Sequence, residues 1–193
     1  MTLKNRIITT FAGRSVENCM KDISCEMFDI FDPPGTNIPC TVVAHGEGHF
    51  EVTNPTKKTL TFIQIDACLF NAQDGGKCDF GLFDDATIIL VELKKIDHGT
   101  NSNSQKRTNK KRDAYKQLID TLDLFINNEL NLGEIDEMNL IVIAAVLDEN
   151  GQQQSQRSPA ILPNSQQLKA RFERYNATLL IGNTYQFANT CQF

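Results

Sequence analysis

Apolar residues recur every three or four positions in three segments, which is the spacing of one face of a helix. In residues 15–31 this stripe consists of Val16, Met20, Ile23, Met27 and Ile30. Ser15 offers a cap at the start of the segment, and two prolines and a glycine follow its end, where a helix stops. Residues 113–130 and 164–175 show the same periodicity. The pattern therefore predicts three amphipathic helices.

Five other segments are rich in β-branched and aromatic residues, which favour strands. Residues 59–70, 78–83 and 86–94 are separated by Asp-Gly-Gly and Asp-Asp turn signals, so they predict an antiparallel meander. Residues 138–147 are almost continuously apolar, which is typical of a strand covered on both faces. Residues 177–187 predict a last strand.

The order of the predicted elements is α, β, β, β, α, β, followed by a further α and β. Helices interleave with a sheet that begins antiparallel and then receives strands by crossover, which is the pattern of a mixed α/β domain. We therefore expect one α/β domain over residues 1–193, with a mixed sheet flanked by helices. The polar segment 97–111 predicts a long, flexible, basic loop.

Charge is distributed unevenly along the chain. The net charge is −5, but residues 94–116 contain eight Lys or Arg and two Asp, a local balance of +6. A basic segment on an acidic protein is a localised feature that attracts anions. The alternative is a solvated loop without a partner. The candidate phosphate contacts are Lys95, Lys106, Arg107, Lys110, Lys111 and Arg112.

The cellular setting follows from what the sequence lacks. The apolar runs at 87–91 and 140–147 are too short to span a bilayer, and no secretory signal core follows the N-terminus. Six cysteines show no Cys-x-x-Cys pair. We therefore expect reduced, mostly buried thiols, no zinc site at the cysteines, no membrane association and a cytoplasmic location.

The predicted hairpin at 78–94 brings acidic side chains together. If Asp84 and Asp85 form the turn, Asp79 lies opposite Leu90, and Glu92 and Lys94 point to the same face. Two carboxylates on neighbouring strands can then converge on one cation, with an ammonium group beside it. Charges that alternate on a strand are often its solvated face, but residues 88–93 are apolar on both faces apart from Glu92. The sequence therefore favours a site that binds Mg²⁺ (or Mn²⁺) through hard oxygen ligands.

These residues also carry a family resemblance. The stretch Lys77-Cys78-Asp79-Phe80, twelve intervening residues, the triplet Glu92-Leu93-Lys94 and a helix that bears Gln117 resemble the PD-(D/E)XK nuclease superfamily. That superfamily includes restriction endonucleases and phage-type exonucleases. The resemblance covers roughly residues 15–147 and implies a restriction-endonuclease-like core of order αβββαβ.

The resemblance implies a role for each matched residue. Asp79 and Glu92 would bind the metal together with the backbone carbonyl of Leu93, Lys94 would be the catalytic lysine, and Gln117 would approach the site from the following helix. Cys78 stands where the family's proline would be. The family often adds an acid from its first helix, for which Glu17 and Glu26 both remain open. Asp66 is a further acid that could approach the metal.

The implied function is Mg²⁺-dependent hydrolysis of nucleic acid, with DNA expected before RNA, in a setting such as bacterial antiviral defence. The alternative is a catalytically inactive nuclease-fold scaffold or binding subunit of a larger complex. A homodimer or another protein partner stays open. His45 and His49 are spaced as a helical zinc pair would be, but Gly46 and Gly48 argue against a helix there, so we expect no metal at these histidines.

Overall fold

The computed structural model describes residues 1–35, 37–95, 104–135, 138–147 and 165–187. Short 3-10 turns occur at Ala12–Arg14, Val16–Cys19, Ala72–Asp74 and Leu132–Glu134. The helices are α1 (Leu3–Thr10), α2 (Ser104–Asn127) and α3 (Ser165–Glu173). The strands are β1 (Met20–Ile23), β2 (Met27–Phe31), β3 (Thr41–Val43), β4 (Phe50–Thr53), β5 (Leu60–Gln64), β6 (Phe80–Phe83), β7 (Thr87–Lys95), β8 (Asn139–Leu147), β9 (Ala177–Ile181) and β10 (Thr184–Gln186).

The larger sheet has six strands in the order β1-β5-β6-β7-β8-β9. Strands β5, β6 and β7 form the expected antiparallel meander. Strand β8 then pairs with β7 in parallel after α2, and β9 pairs with β8 in parallel after α3. The prediction of a mixed α/β sheet is therefore confirmed.

A second sheet, ordered β10-β4-β2-β3, covers one face of the larger sheet. The three helices pack on the opposite face. In β7, Ile88 and Leu90 face the helices, whereas Ile89, Val91 and Leu93 face the second sheet. The long apolar runs thus arise because the central strands are buried on both sides. The described helices flank one face of the larger sheet, and the second sheet covers the other.

The helix predicted at 15–31 is wrong. The segment forms one 3-10 turn and then β1 and β2, and the first helix is α1, which Thr2 caps through its hydroxyl. Ser15 adopts a left-handed conformation with φ 52°, which a helix N-cap does not use. The apolar residues of the segment 15–31 do not share a face either, because Val16 packs with the helices and Ile30 packs between the sheets.

Two further segments differ from the sequence-based expectations. Helix α2 begins at Ser104, so the predicted loop at 97–111 is helical over its second half, and residues 97–103 lie outside the described residues. The strand predicted at 59–70 ends at Gln64, because Ala67 has φ 59° and turns the chain. The strand predicted at 177–187 is interrupted between Ile181 and Thr184 and continues in the second sheet.

The expectation of reduced thiols is also wrong at two positions. Cys19 and Cys68 form a disulfide that joins the turn before β1 to the loop after β5. Spacing could not identify this pair, because the two cysteines are 49 residues apart and their proximity depends on tertiary structure. Cys25, Cys40 and Cys78 are free thiols. Within the described part of the chain, no helix has the length and apolar character needed to cross a membrane.

Candidate metal site at the β6–β7 hairpin

The hairpin register determines which side chains face each other. Phe80 pairs with Val91 and Phe83 with Ile88, and regular pairing ends at Phe80. The Asp79 amide donates to the Val91 carbonyl at 3.1 Å, so Asp79 does not continue this register. The predicted partner of Asp79, Leu90, pairs with Gly81 instead. The turn lies one residue later than expected, because the Asp84 amide donates to the Thr87 carbonyl at 3.0 Å. The charge of Asp79 raises the pKa of Glu92, so the two carboxylates lie close enough to interact.

Glu92 is a charged group in the interior. It is 0% exposed, and neither carboxylate oxygen accepts a hydrogen bond within the described residues. Its one ionic partner among them is the Lys94 ammonium group, which contacts Oε1. Burial raises the pKa of Glu92 well above its usual value, and the negative charge of Asp79 raises it further. Lys94 opposes these effects but does not cancel them.

Asp79 lies directly before β6 and is half-buried. Its Oδ2 accepts a hydrogen bond of 2.6 Å from the Leu93 amide. Burial raises the pKa of Asp79 to about 7, the Leu93 amide lowers it, and the charge of Asp32 raises it. Since the amide and carbonyl of one strand residue point to the same edge, the Leu93 carbonyl also points toward the Asp79 side of β7.

Lys94 is the cation of the site, with 21% of its side chain exposed. Burial lowers its pKa, but Glu92 and then Asp79 raise it, and the net pKa is above the usual value. The charge of Asp113 on α2 acts in the same direction. Lys94 therefore remains protonated at neutral pH and acts as a positive charge.

Asp66 lies at the rim of the site. Its amide and that of Ile65 both donate to the Asp79 carbonyl, at 3.2 and 3.1 Å, which is the pattern of a β-bulge. Its carboxylate lies 3.3 Å from the Lys77 ammonium group. The negative charge of Asp66 raises the pKa of both Asp79 and Glu92. The structure thus brings Asp66 near the two carboxylates without direct contact between the side chains.

Gln117 does not contact the acidic residues. Its Nε2 donates to the Lys77 carbonyl at 3.2 Å. One helical turn later, the Thr121 hydroxyl accepts a hydrogen bond of 2.7 Å from the Cys78 amide. These two α2 side chains hold the two residues that precede Asp79. The only sequence signal for Thr121 is a hydroxyl within an otherwise apolar stripe.

The acid expected from a first helix does not join the site. Glu17 is exposed in the turn Val16–Cys19, and Glu26 pairs with Lys57 at 3.1 Å on the surface. Neither contributes to the pKa shift of Asp79 or Glu92. Both candidates depended on the helix at 15–31, which does not form.

The basic residues divide into two groups. Lys95 points to the other face of β7, where its ammonium group donates to the Asp32 carbonyl at 2.7 Å and ties β7 to the second sheet. Lys110, Lys111 and Arg112 lie exposed or half-exposed on α2. Within the described residues none of these three forms an ion pair. Lys106 and Arg107 lie on the same helix, but their side chains are outside the described part.

The first part of α2 extends beyond the packed core. The buried residues of α2 begin at Ala114, and residues 108–113 are exposed or half-exposed. Asp113, the last residue of this exposed part, lies close enough to Lys94 for its charge to raise the Lys94 pKa. The exposed part of α2 therefore reaches the candidate metal site at Asp113.

The oxygen ligands at the hairpin suit Mg²⁺, which commonly binds through one or two carboxylates and keeps several waters. Asp79, Glu92 and the Leu93 carbonyl supply two carboxylates and one carbonyl oxygen. Oε2 of Glu92, which is buried and has no hydrogen-bond partner among the described residues, fits a cation at this position. Within the ranges that the structure describes, no group of three or more His, Cys, Asp or Glu side chains is placed to hold a metal ion.

The two histidines serve the second sheet. His45 Nδ1 lies 3.3 Å from Asp29, which also accepts from the Gly46 and Gly48 amides. His49 Nδ1 accepts from the Asp32 amide at 3.1 Å, and its ring stacks on Phe31. The histidines thus have separate partners.

Comparisons of this chain with protein-family models, with curated proteins and with solved structures found no match.

Proposed function

We propose that the protein hydrolyses phosphodiester bonds of nucleic acid, with Mg²⁺ or Mn²⁺ held by Asp79, Glu92 and the Leu93 carbonyl. DNA is the proposed substrate before RNA, and bacterial antiviral defence is the setting that the family resemblance suggests. The observation that carries the proposal is Glu92, a fully buried carboxylate whose Oε1 contacts Lys94, whose Oε2 has no hydrogen-bond partner among the described residues, and whose pKa the nearby charge of Asp79 raises. Such burial is costly without a counter-charge, and one ammonium group serves two carboxylates here.

The side chains divide the chemistry between them. Bound Mg²⁺ would lower the pKa of a water molecule and polarise the phosphoryl group. Lys94 is held protonated by Glu92 and Asp79, so it orients water and stabilises negative charge on the phosphate rather than accepting a proton. The Leu93 amide fixes the Asp79 carboxylate in the site.

The exposed start of α2 is the proposed phosphate-binding surface, formed by Lys110, Lys111 and Arg112 and continued by Lys106 and Arg107. Lys106 and Arg107 lie in the first turn of α2, where cations oppose the helix dipole, and nucleic acid would relieve this repulsion. Contacts of this kind hold the phosphate backbone without reading its sequence. We exclude Lys95 from this surface, because Asp32 binds it on the other face of the sheet.

One observation favours the alternative of an inactive nuclease-fold scaffold. The Lys94 ammonium group contacts Glu92 directly and supplies a counter-charge without a metal. A structural ion pair of this kind would bind no divalent cation and would cleave no substrate. The two functions therefore differ in a measurable property of the same three residues.

The test is a cleavage assay with single- and double-stranded DNA and RNA in Mg²⁺, in Mn²⁺ and in EDTA. Cleavage that requires the metal is expected from the unaltered protein, and Asp79→Asn and Lys94→Met should each lower the rate by about 100-fold or more. Asparagine at position 79 keeps an acceptor for the Leu93 amide, so this variant removes charge without removing the hydrogen bond.

Two matched variants control for charge alone. Asp85→Asn removes an acidic group from the exposed turn of the same hairpin, and Lys21→Met removes an exposed lysine from β1 at the edge of the sheet. Both should cleave at the unaltered rate. If the unaltered protein binds no Mg²⁺ by calorimetry and cleaves none of the four substrates, the scaffold function replaces the nuclease.

We propose the cytoplasm as the location, as the sequence suggests. The Cys19–Cys68 disulfide argues against it, because the cytosol keeps most thiols reduced. Counting free thiols in protein extracted from cells under acid quench tests the location. Six free thiols support the cytoplasm, and four indicate an oxidising compartment.

A further inference from the structure

Hydrogen bonds from two sides hold residues 77–79, the segment that ends at Asp79. On the β-sheet side, the Asp79 amide donates to the Val91 carbonyl at 3.1 Å, and the Asp79 carbonyl accepts from the bulge at Ile65 and Asp66. On the helix side, the Cys78 amide donates to Thr121. Regular pairing of β6 begins only at Phe80, so residues 77–79 depend on these individual bonds.

Thr121 is fitted to this contact. It is 0% exposed, and its hydroxyl donates to the Gln117 carbonyl at 2.8 Å within α2. Because that bond uses the only hydrogen of the hydroxyl, the Thr121 oxygen acts as the acceptor for the Cys78 amide. Cys78 is itself 0% exposed, so its amide has no access to water as a substitute partner.

Gln117, one turn before Thr121 in α2, binds the same segment. Its Nε2 donates to the Lys77 carbonyl, so two α2 side chains bind consecutive peptide groups of the segment before Asp79. Residues at i and i+4 lie on one face of a helix, which is why both reach the same stretch of chain. The next residue along that stretch carries the carboxylate that accepts from Leu93.

We infer that Thr121, assisted by Gln117, is a positioning residue that fixes the Asp79 carboxylate for metal binding. The inference rests on the proposed function for its catalytic consequence, but the position of Asp79 can be measured without it. Partners of this kind typically affect metal affinity or activity by about 10- to 100-fold when they are removed.

The experiment compares Thr121→Val, which keeps the shape but removes the hydroxyl, with Thr121→Ser, which keeps the hydroxyl. Amide hydrogen exchange at Leu93 is the first readout, because its one described acceptor is Asp79 Oδ2. Exchange at Leu93 and at Cys78 should be about tenfold faster or more in Thr121→Val, and close to the unaltered rate in Thr121→Ser. Exchange at Val142 in β8 reports any global loss of stability.

A matched control removes another buried hydroxyl of the same sheet. Thr61 in β5 donates to Asp22 at 2.9 Å and pairs with Phe83 at the turn end of β6, not with residues 77–79, so Thr61→Val should leave exchange at Leu93 unchanged. Mg²⁺ affinity and cleavage rate form the second readout, and both should fall by about 10- to 100-fold in Thr121→Val and recover in Thr121→Ser.

The outcomes separate the two proposals. Unchanged exchange at Leu93 in Thr121→Val would overturn the positioning role, whatever the activity. Faster exchange at Leu93 in a protein that neither binds Mg²⁺ nor cleaves nucleic acid would uphold the positioning of Asp79 and reject the nuclease. If Thr121→Val fails to fold, Gln117→Met is the second variant, because it removes the hydrogen bond from α2 to the Lys77 carbonyl. Faster exchange at Leu93 in Gln117→Met would support the positioning role, and unchanged exchange would overturn it.

Discussion

Replacement of Asp79 by asparagine should stabilise the metal-free protein, although it should abolish the proposed activity. Asp79 is forced to carry its charge in a half-buried position beside other acids, which is why its pKa rises to about 7. An amide at this position has no charge to desolvate and still offers an oxygen to the Leu93 amide. Its removal also relieves Glu92, whose pKa the Asp79 charge raises.

The magnitude follows from the shift of the Asp79 pKa, from 3.8 to about 7. Each unit corresponds to about 1.4 kcal/mol, so ionised Asp79 lowers the free energy of unfolding by about 4 kcal/mol at pH 8. The folded pKa is raised, so the destabilisation is absent below pH 3.8 and grows as the pH rises to about 7. At pH 5 it amounts to about 1.6 kcal/mol.

The assay is urea unfolding of the unaltered protein and Asp79→Asn in EDTA at pH 5 and pH 8. The advantage of the variant should grow by about 2.7 kcal/mol between the two pH values, and its melting temperature at pH 8 should be about 8–16 °C higher. Asp85→Asn on the exposed turn serves as the control for net charge.

Added Mg²⁺ should reverse part of this difference. A ligand at 100 times its dissociation constant stabilises the folded protein by about 2.7 kcal/mol, and only the unaltered protein should respond. A variant that is no more stable than the unaltered protein at pH 8 in EDTA, with the same pH dependence, would refute the electrostatic account of the site.

Three other predictions concern the rest of the molecule. Cys68→Ser opens the disulfide and should lower the free energy of unfolding by about 4 kcal/mol, measured by urea unfolding, because the bond closes a loop of 49 residues. Burial lowers the pKa of His49, and the charge of Lys95 lowers it further. The contribution of neutral His49 to stability is therefore present above pH 6.5 and lost as the pH falls. His49→Gln should remove this pH dependence in thermal melts. Gly48→Ala brings a Cβ within 2.8 Å of the Ile30 carbonyl and should cost about 1–3 kcal/mol in urea unfolding, whereas Gly13→Ala meets open space and should not.

Strand pairing was predictable where the local pattern and the tertiary structure agree. The meander, the crossover through α2 and strand β8 have apolar runs that only a doubly covered sheet explains. The segment 15–31 was not predictable, because five apolar residues at helical spacing also suit two short strands whose side chains enter different cores. Local periodicity does not indicate whether a side chain packs between the sheet and the helices or between the two sheets.

The side-chain faces of the β6–β7 hairpin were predictable for a different reason. A shift of the turn by one residue changed every pair in the hairpin, yet the faces stayed the same, since the side-chain period of a strand is two. The contributions of Thr121 and Cys68 were not predictable, because both depend on contacts between residues more than forty positions apart. The prediction of an acid from the first helix, Glu17 or Glu26, failed because no helix forms at 15–31. The chemistry of the site did not decide it.

The energetics of the hairpin bear directly on the choice between nuclease and scaffold. Burial dominates the pKa of Glu92 even though the Lys94 ammonium group contacts it, so this ion pair does not compensate fully for the desolvation of the carboxylate. A protein that used the residue only to support its sheet would be more stable with a leucine or methionine there, because replacing a buried ion pair by apolar side chains is often neutral or stabilising. Burial raises the pKa of both Glu92 and Asp79, and a divalent cation would offset the cost of both carboxylates at once. The joint replacement Glu92→Met with Lys94→Met should therefore give a more stable protein. Loss of Mg²⁺ binding and of cleavage in that variant would support the nuclease, whereas an unaltered protein that shows neither property would leave a structural ion pair.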